Sequence, residues 1–530
     1  MTVPTDNTNT AVPADAYLAK EDEGYHKGLG NRQIQMIGIG GAIGTGLFMG
    51  AGLKLHSAGP GLFLAYGLCG LFVFFILRAL GELVLHRPSS GSFVSYSREF
   101  LGEKAAYAVG WMVFLNWAMT SIADTSAIAG YIGRWVKTDV VPGWVWALLA
   151  LVIVLSVNMI SVKWFGEMEF WAALVKVIAL VTFLVVGVVV LVWGLHLTAY
   201  TPPGEPAAAV AEWHTGVAMV ANTPGGWFPH GYFSLFVVLS SVVFAYSAVE
   251  LVGTAAGEAK DPEHVMPKAI NAVLFRIVFF YMGSVALLAL LVPYLNYGSG
   301  SPFVTFFSSL GAPWAGDVMN AVVITSAMSS LNAGLYSTGR IIRSMAMNGS
   351  APERLSKMNS SGVPYPGILL TCFFTVVGVL LNYLLQDAKE VFSIAIEMAS
   401  IGVMGGWASI VVCQLQFFKL AKQGLAVRPS FRMPWAPYSN YATLVFLAAV
   451  VVIMGLPKSG ETDFIKKYEG TITVGAFFFV FVPILVAGWF LLRDRVHAIA
   501  QERMGYTGKF PVVANLPLDP QNLPFKDPQA

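Results

Sequence analysis

Asp124, Lys176 and Glu250 each lie near the middle of an apolar run of about 20 residues. A charged side chain at that depth in hydrocarbon is costly and usually functional. The chemistry open to these groups is proton binding, ion pairing or hydrogen bonding to a polar ligand. Asp124, in SIADTSAIAG, either binds a ligand's side-chain amide or holds a neighbouring group by a hydrogen bond. Lys176, in WAALVKVIALV, has no acidic residue within four positions on its own helix. About ten apolar residues on its outer side keep it from reaching the surface as lysines near helix ends do. Glu250, in SVVFAYSAVELVGTAAGE, is followed by Gly253 and Gly257. Arg78 and Glu82 stand one helical turn apart, a spacing that allows a structural ion pair near the inner membrane face. Arg276 and Glu397 read as structural or water-facing.

A second feature belongs to the backbone. The stretch IGIGGAIGTGLFMGAG, residues 37–52, lies in an apolar run yet carries seven glycines, the poorest helix former after proline. Glycines confined to one face would mean close helix packing. Here Gly38, Gly40, Gly41, Gly44 and Gly46 surround the axis, which favours a broken helix. A break in lipid frees backbone groups that only a cavity and a partner can satisfy. The inner half would end near Gly40–Ala42 with bare carbonyls, and the outer half would start near Gly44, Thr45 and Gly46 with bare N–H groups. Thr45 is a good N-cap residue and adds a hydroxyl. Acceptors and donors a few ångströms apart suit the ammonium and carboxylate of an α-amino acid. The run fits neither the dinucleotide nor the P-loop glycine pattern, and no Walker motif occurs elsewhere.

The elements that must position these groups are membrane helices. The 530 residues are 56% hydrophobic and only 12% charged, about half the charged fraction of a soluble protein. Apolar runs place twelve spans at 33–54, 60–85, 105–132, 142–162, 168–194, 232–256, 267–293, 313–346, 364–385, 390–418, 439–457 and 471–492. The eighth is too long to be wholly membranous, so its C-terminal end projects into water. The polar N-terminus lacks the apolar core of a signal peptide, which puts both tails on the cytoplasmic side. The outer loops then hold only Lys54, Arg134, Lys137, Lys389, Lys458, Lys466 and Lys467 of the 32 basic residues, as the positive-inside rule expects. Cys69, Cys372 and Cys413 fall within spans and read as small buried apolar residues. The interrupted spans are the first and the sixth, the corresponding places of two halves, and that pattern points to a transporter's binding site. Five spans per half is an odd number, so the halves are inverted repeats: 33–194 (helices 1–5) and 232–418 (helices 6–10). A 32-residue cytoplasmic tail precedes them, 195–231 is an outer loop, 439–492 adds helices 11 and 12, and 493–530 is a cytoplasmic tail whose Pro-rich end reads as disordered.

Three long motifs carry a resemblance: NRQIQMIGIGGAIGTGLFMGAG, FAYSAVELVGTAAGEAKDPEHVMPKAI and SSLNAGLYSTGRIIRSMAMNGSAP. In this order they resemble the amino acid permeases of the amino acid–polyamine–organocation superfamily. The segments DEGYHKGLGNRQIQMI, HRPSSGSFVSYSREFLGEKAAY, VKWFGEMEFW and SPFVTFFSSLG are most similar to the bacterial L-asparagine permeases of that family. The resemblance implies an all-α polytopic fold of twelve transmembrane helices with a LeuT-like five-plus-five inverted repeat, discontinuous helices 1 and 6, and two extra helices. It implies that Gly44, Thr45 and Gly46 bind the substrate carboxylate and that the Ala42 carbonyl faces the ammonium. Phe244 would be the aromatic gate, Glu250 the acid, and carbonyls near Phe244 and Ser247 would complete the ammonium site. Ala248 stands where the family usually has glycine. The fifth-span Lys176 falls where sodium-coupled relatives hold a sodium ion, so its ammonium would replace that ion.

These readings lead to a proton-coupled importer of L-asparagine in the bacterial inner membrane, needing neither cofactor, metal nor nucleic acid. Asn116, Asp124, Ser329 and Asn332 are the polar candidates to read the side-chain amide, while Lys176 and Glu250 are the candidates for proton coupling. The alternatives are a permease for another neutral amino acid, or a sensor that binds without transport. A membrane enzyme would need a metal-protease motif or a nucleophile and base, and neither pattern occurs.

Overall fold

The computed structural model describes residues 43–87, 92–137, 139–200, 208–251, 262–297, 300–385, 388–457 and 464–504. The described chain opens on non-helical Ile43 and a bend at Gly44, then a π-helical turn Gly46–Gly50 that runs into α1 (Ala51–Ala58). Next come α2 (Leu62–His86), the short α3 (Ser92–Leu101), α4 (Glu103–Ile132), α5 (Gly143–Ile160) and α6 (Val162–Trp193). After a loop, α7 (Leu239–Ala245) is only two turns long. Pro262–Arg276 forms α8 and continues through a π-helical turn, Ile277–Gly283, into α9 (Ser284–Leu291). The short α10 (Pro302–Ser308) precedes α11 (Pro313–Met347), α12 (Tyr365–Leu385), α13 (Ala388–Lys422) and α14 (Tyr438–Met454). The last helix is α15 (Phe464–Ala476), a π-helical turn Phe477–Phe481, and α16 (Val482–Met504).

Apolar runs of this length become helices because hydrocarbon offers the backbone no other hydrogen-bond partner. Among the described residues, nine helices are long and apolar enough to cross a bilayer, and Tyr438–Met454 is a shorter apolar one. The two predicted spans that match none of these are 33–54 and 232–256, the ones interrupted by glycines and an acid. Residues 33–42 and 252–256 of those spans lie outside the described residues, as do the tail 1–32 and residues 505–530 of the tail 493–530. The final helix runs to Met504 rather than ending near 492, because the apolar run is followed by strong helix formers. The segment expected as an outer loop is not featureless: His196–Thr198 pairs antiparallel with Glu212–His214, and Trp213 donates its indole N–H to the Leu291 carbonyl at 2.7 Å.

The centre of the molecule is α4, packed along α13 and α11. Gly402 of α13 makes the approach close. A β-carbon there would lie 2.8 Å from both the Asn116 nitrogen and the Met112 carbonyl oxygen. Helices α5 and α6 sit outside this pair and expose Leu149, Val152, Ile178 and Val185, the surface expected against lipid.

The pair expected between Arg78 and Glu82 is replaced by longer-range contacts. Arg78 donates to the Arg432 carbonyl and lies over the Phe431 ring. Glu82, fully buried, instead pairs with Arg428 and accepts from Gln414 at 2.9 Å and the Met433 N–H at 2.8 Å. The segment before α14 thus supplies both oxygens with partners that α2 alone could not offer.

Candidate functional site

The two interrupted segments meet. At Gly46 a β-carbon would lie 2.6 Å from Cα of Ala245 and 3.0 Å from the Phe244 ring. Only glycine allows this approach. Phe244 and Ala245 end α7, and the chain then turns instead of continuing as a helix. Ser247 N–H bonds to the Phe244 carbonyl at 2.9 Å, and Leu251 N–H to the Ala248 carbonyl at 3.1 Å. Ala248 has φ +71°, the left-handed region that favours glycine. That is the position at which the sequence departs from the family it resembles, and the backbone there keeps a glycine-like shape despite the added methyl group. The Phe244 carbonyl, already bonded once, keeps a second lone pair. Ser247 is partly exposed, whereas Phe244 and Glu250 are buried. Glu250 accepts a hydrogen bond from the Trp407 indole of α13 at 3.1 Å.

On the other side of the first segment stand α4 and α11. The Thr45 hydroxyl does not cap its own helix. Its backbone is already helical at φ −59°, ψ −27°, and it donates instead to Asp124 Oδ1 at 2.8 Å. The N-cap expectation therefore fails, and Asp124 is placed as the group that holds Thr45. Asp124 is fully buried, and its Oδ2 has Ser330 beside it but no bond of good geometry. Ser326 of α11 donates to the Ile43 carbonyl at 3.2 Å, and Ser330, one turn on, faces Gly44. Ala42 lies outside the described residues.

Lys176 is 1% exposed. It donates to the Ser329 hydroxyl at 2.8 Å, and that hydroxyl donates to Glu169 Oε1 at 2.7 Å. Lys176 and Glu169 are 4.0 Å apart directly. Asp124 is the second carboxyl whose field acts on Lys176. Glu169 is not legible as a partner in the sequence because it lies beyond the four positions over which neighbours on one helix pair. At seven positions, two helical turns, a residue returns to the same face. Ser326, Ser330 and Trp407 were missed too; the serines have one signal, their helical spacing in SAMSSLNAG, and Trp407 has none.

The four candidates for reading a side-chain amide do not converge. Asp124 is at the first segment. Ser329 serves Lys176 and Glu169, and Asn332 accepts from Asn158 at 2.8 Å, facing α5. Asn332 Nδ2 remains buried and unpartnered. Asn116 is eight residues, about 12 Å, along α4 from Asp124, where Thr120 donates to it and Gly402 packs on its backbone. Among the described residues no group of three or more His, Cys, Asp or Glu could hold a metal ion. The arrangement brings together two adjoining segments with non-helical backbone, a buried lysine and buried carboxyls, polar groups of a kind that suit a small zwitterion.

Comparison with known proteins bears on this arrangement. The family model described as amino acid permease matches residues 33–500. L-asparagine permease 1 of Mycobacterium tuberculosis is 59% identical over 499 residues, covering 94% of this chain and 97% of that protein. The L-asparagine permease of Escherichia coli is 53% identical over 496 residues, covering 93% and 94%. The L-asparagine permease of Streptomyces coelicolor is 51% identical over 498 residues, covering 93% and 95%.

Proposed function

The chain belongs to the amino acid permease family, and from that premise we propose that it imports L-asparagine by proton symport through alternating access. The observation that carries the reading is the contact of Gly46 with Phe244 and Ala245, which joins the two interrupted segments at one site. The substrate carboxylate would meet backbone N–H groups at Gly44, Thr45 and Gly46, and carbonyls at Ala42, Phe244 and Ser247 would take the ammonium. Phe244 closes over the ligand. Asp124 Oδ2 and Asn332 Nδ2 are buried polar atoms without a bond of good geometry, a condition that native interiors seldom leave without a ligand or water. Of the two, Asp124 Oδ2 stands at the first segment and has the capacity to read a side-chain amide, whereas Asn332 faces α5. Identities of 51–59% to proteins named L-asparagine permease favour that side chain.

Lys176 is the proton carrier in this scheme. Charge at its depth is opposed by the low dielectric and supported by nearby carboxyls and carbonyls. Opening to one side or the other changes that balance, so protonation follows conformation. Glu250, held by Trp407, is the second acid of the cycle. Both tails lie in the cytoplasm, and the bilayer is the bacterial inner membrane.

Uptake of radiolabelled asparagine by cells expressing the chain tests this, with competitors and with a proton uncoupler. Accumulation that asparagine competes, that phenylalanine and lysine do not, and that the uncoupler abolishes is the expected result. Binding without uptake would identify a sensor. Uptake untouched by the uncoupler would remove proton symport.

A further inference from the structure

We propose that Glu169 is the acceptor that empties Lys176 of its proton, with the Ser329 hydroxyl as the carrier between them. The inference rests on the proton-symport reading and names the route by which that proton leaves.

The hydrogen bonds have only one polarity available. A lysine ammonium can only donate and an ionised carboxylate can only accept. Ser329 therefore accepts from Lys176 at 2.8 Å and donates to Glu169 Oε1 at 2.7 Å, and the direct gap of 4.0 Å is too long for a hydrogen bond. In the transfer, one Nζ–H bond of Lys176 breaks as an O–H bond forms on Ser329. The original Ser329 O–H bond breaks as one forms on Glu169 Oε1. The products are a neutral amine, an intact serine and a carboxylic acid, and no other reactant is needed. An ion pair becomes a neutral pair, a change that a low-dielectric site does not oppose as it would oppose separating the charges.

Charge count also favours a mobile proton. Among the described residues, two carboxyls act on Lys176, Glu169 on its own helix and Asp124 on α4, and α11 contributes the Ser329 hydroxyl. One ammonium cannot neutralise two carboxylates, so the trio is neutral only when one carboxyl holds a proton.

Position supplies the direction. Glu169 precedes Lys176 by two turns, about 10 Å, toward the end of α6 that faces the cytoplasm in the proposed orientation. Its Oε2 is buried and has no partner, a place for the outgoing proton to be met by water. One turn nearer that end, Phe165 stacks on Tyr336 at 3.9 Å and lines a narrow cleft with Asn158, Val162 and Arg340.

The test uses the full chain in proteoliposomes, as wild type and as Lys176→Gln, Glu169→Gln, Ser329→Ala and Ser329→Thr. Net asparagine accumulation under a pH gradient, asparagine-driven proton movement, and asparagine exchange at equal pH are measured for each. Glu169→Gln and Ser329→Ala should lower the ratio of net accumulation to exchange, on the order of 10²-fold, the usual loss when a positioned proton acceptor is removed. Ser329→Thr keeps the hydroxyl and should restore the ratio. A purely structural counter-ion would instead depress exchange and net transport together, and that result overturns the relay. So does a wild-type number of protons per asparagine in Glu169→Gln and Ser329→Ala. If Glu169→Gln does not insert, the Ser329 pair decides alone, because alanine and threonine differ there in the one relevant oxygen. Absence of proton movement in the wild type would defeat the symport reading itself, a result distinct from a wild-type ratio in the relay variants.

Discussion

Gly46→Ala should weaken asparagine binding while Gly50→Ala leaves it intact, although both glycines lie in the same π-helical turn. The added methyl group at residue 46 would meet Cα of Ala245 at 2.6 Å and its nitrogen at 3.0 Å. These are backbone atoms of a segment that is itself packed, so neither can rotate away as a side chain does. At Gly50 nothing lies within 4 Å of the same methyl group. Overpacking of a dense interior costs about 1–3 kcal/mol. If the first segment relieves the clash by moving off Ala245, that cost falls on the ligand-competent arrangement, roughly a five- to 150-fold loss of affinity at about 1.4 kcal/mol per tenfold. The assay is asparagine binding to purified protein in detergent, with size-exclusion profile and melting temperature as checks on insertion. Gly46→Val should be worse than Gly46→Ala, since its branched side chain adds two further carbons. Equal affinities for Gly46→Ala and Gly50→Ala, at equal melting temperatures, would refute the placement of the substrate backbone between these segments.

Two further substitutions probe the groups around that contact. Thr45→Val removes the donor to Asp124 Oδ1 and leaves a buried acceptor unpaired, which costs about 1–3 kcal/mol; Thr45→Ser should recover most of it, and equal melting temperatures and affinities for the two would show that the bond does not matter. Glu82→Ala should lower stability by about 1–3 kcal/mol, because it leaves the Gln414 amide, the Met433 N–H and the part-buried Arg428 without their acceptor, and in thermal unfolding its effect should be non-additive with Arg428→Ala but close to additive with Arg78→Ala; coupling to Arg78 alone would reinstate the local pair.

The helices were legible because the bilayer leaves the backbone so little choice, and non-helical Ile43 and Gly44 fall within the glycine run that the sequence marks. What could not be read was mostly a matter of which partner wins. Arg78 and Glu82 satisfy the one-turn rule, yet Glu82 finds Arg428 at a sequence separation of 346, together with Gln414 and the Met433 N–H. Four hydrogen bonds from three partners to one buried carboxylate outweigh a single part-buried neighbour on the same helix. Thr45 has the residue type of an N-cap, but its hydroxyl serves Asp124, 79 positions away. Lys176 looked solitary because its bridge to Glu169 passes through Ser329, at a separation of 153 on another helix. Ala248 is the converse case: the departure from glycine was visible in the sequence, but whether the backbone would keep its left-handed turn was not.

The proposed substrate site and proton site are joined through α11. Ser326 and Ser330 face the first segment, and Ser329, between them in sequence, faces Lys176 and Glu169. The two sites therefore share one turn of α11, about 6 Å of helix. A substrate carboxylate arriving at Gly44–Gly46 adds a negative charge near that turn. That charge attracts the Lys176 ammonium across a site of low dielectric. The substrate's own ammonium opposes it, but is held by carbonyls on the far side and cancels only part. The remainder stabilises the protonated lysine when asparagine is bound. Because such coupling is reciprocal, the protonated lysine strengthens asparagine binding by the same factor. A permease built this way needs no contact between lysine and ligand to bind the two together; it needs only that they leave the shared turn on the same side of the membrane, and Glu169 gives the proton that exit.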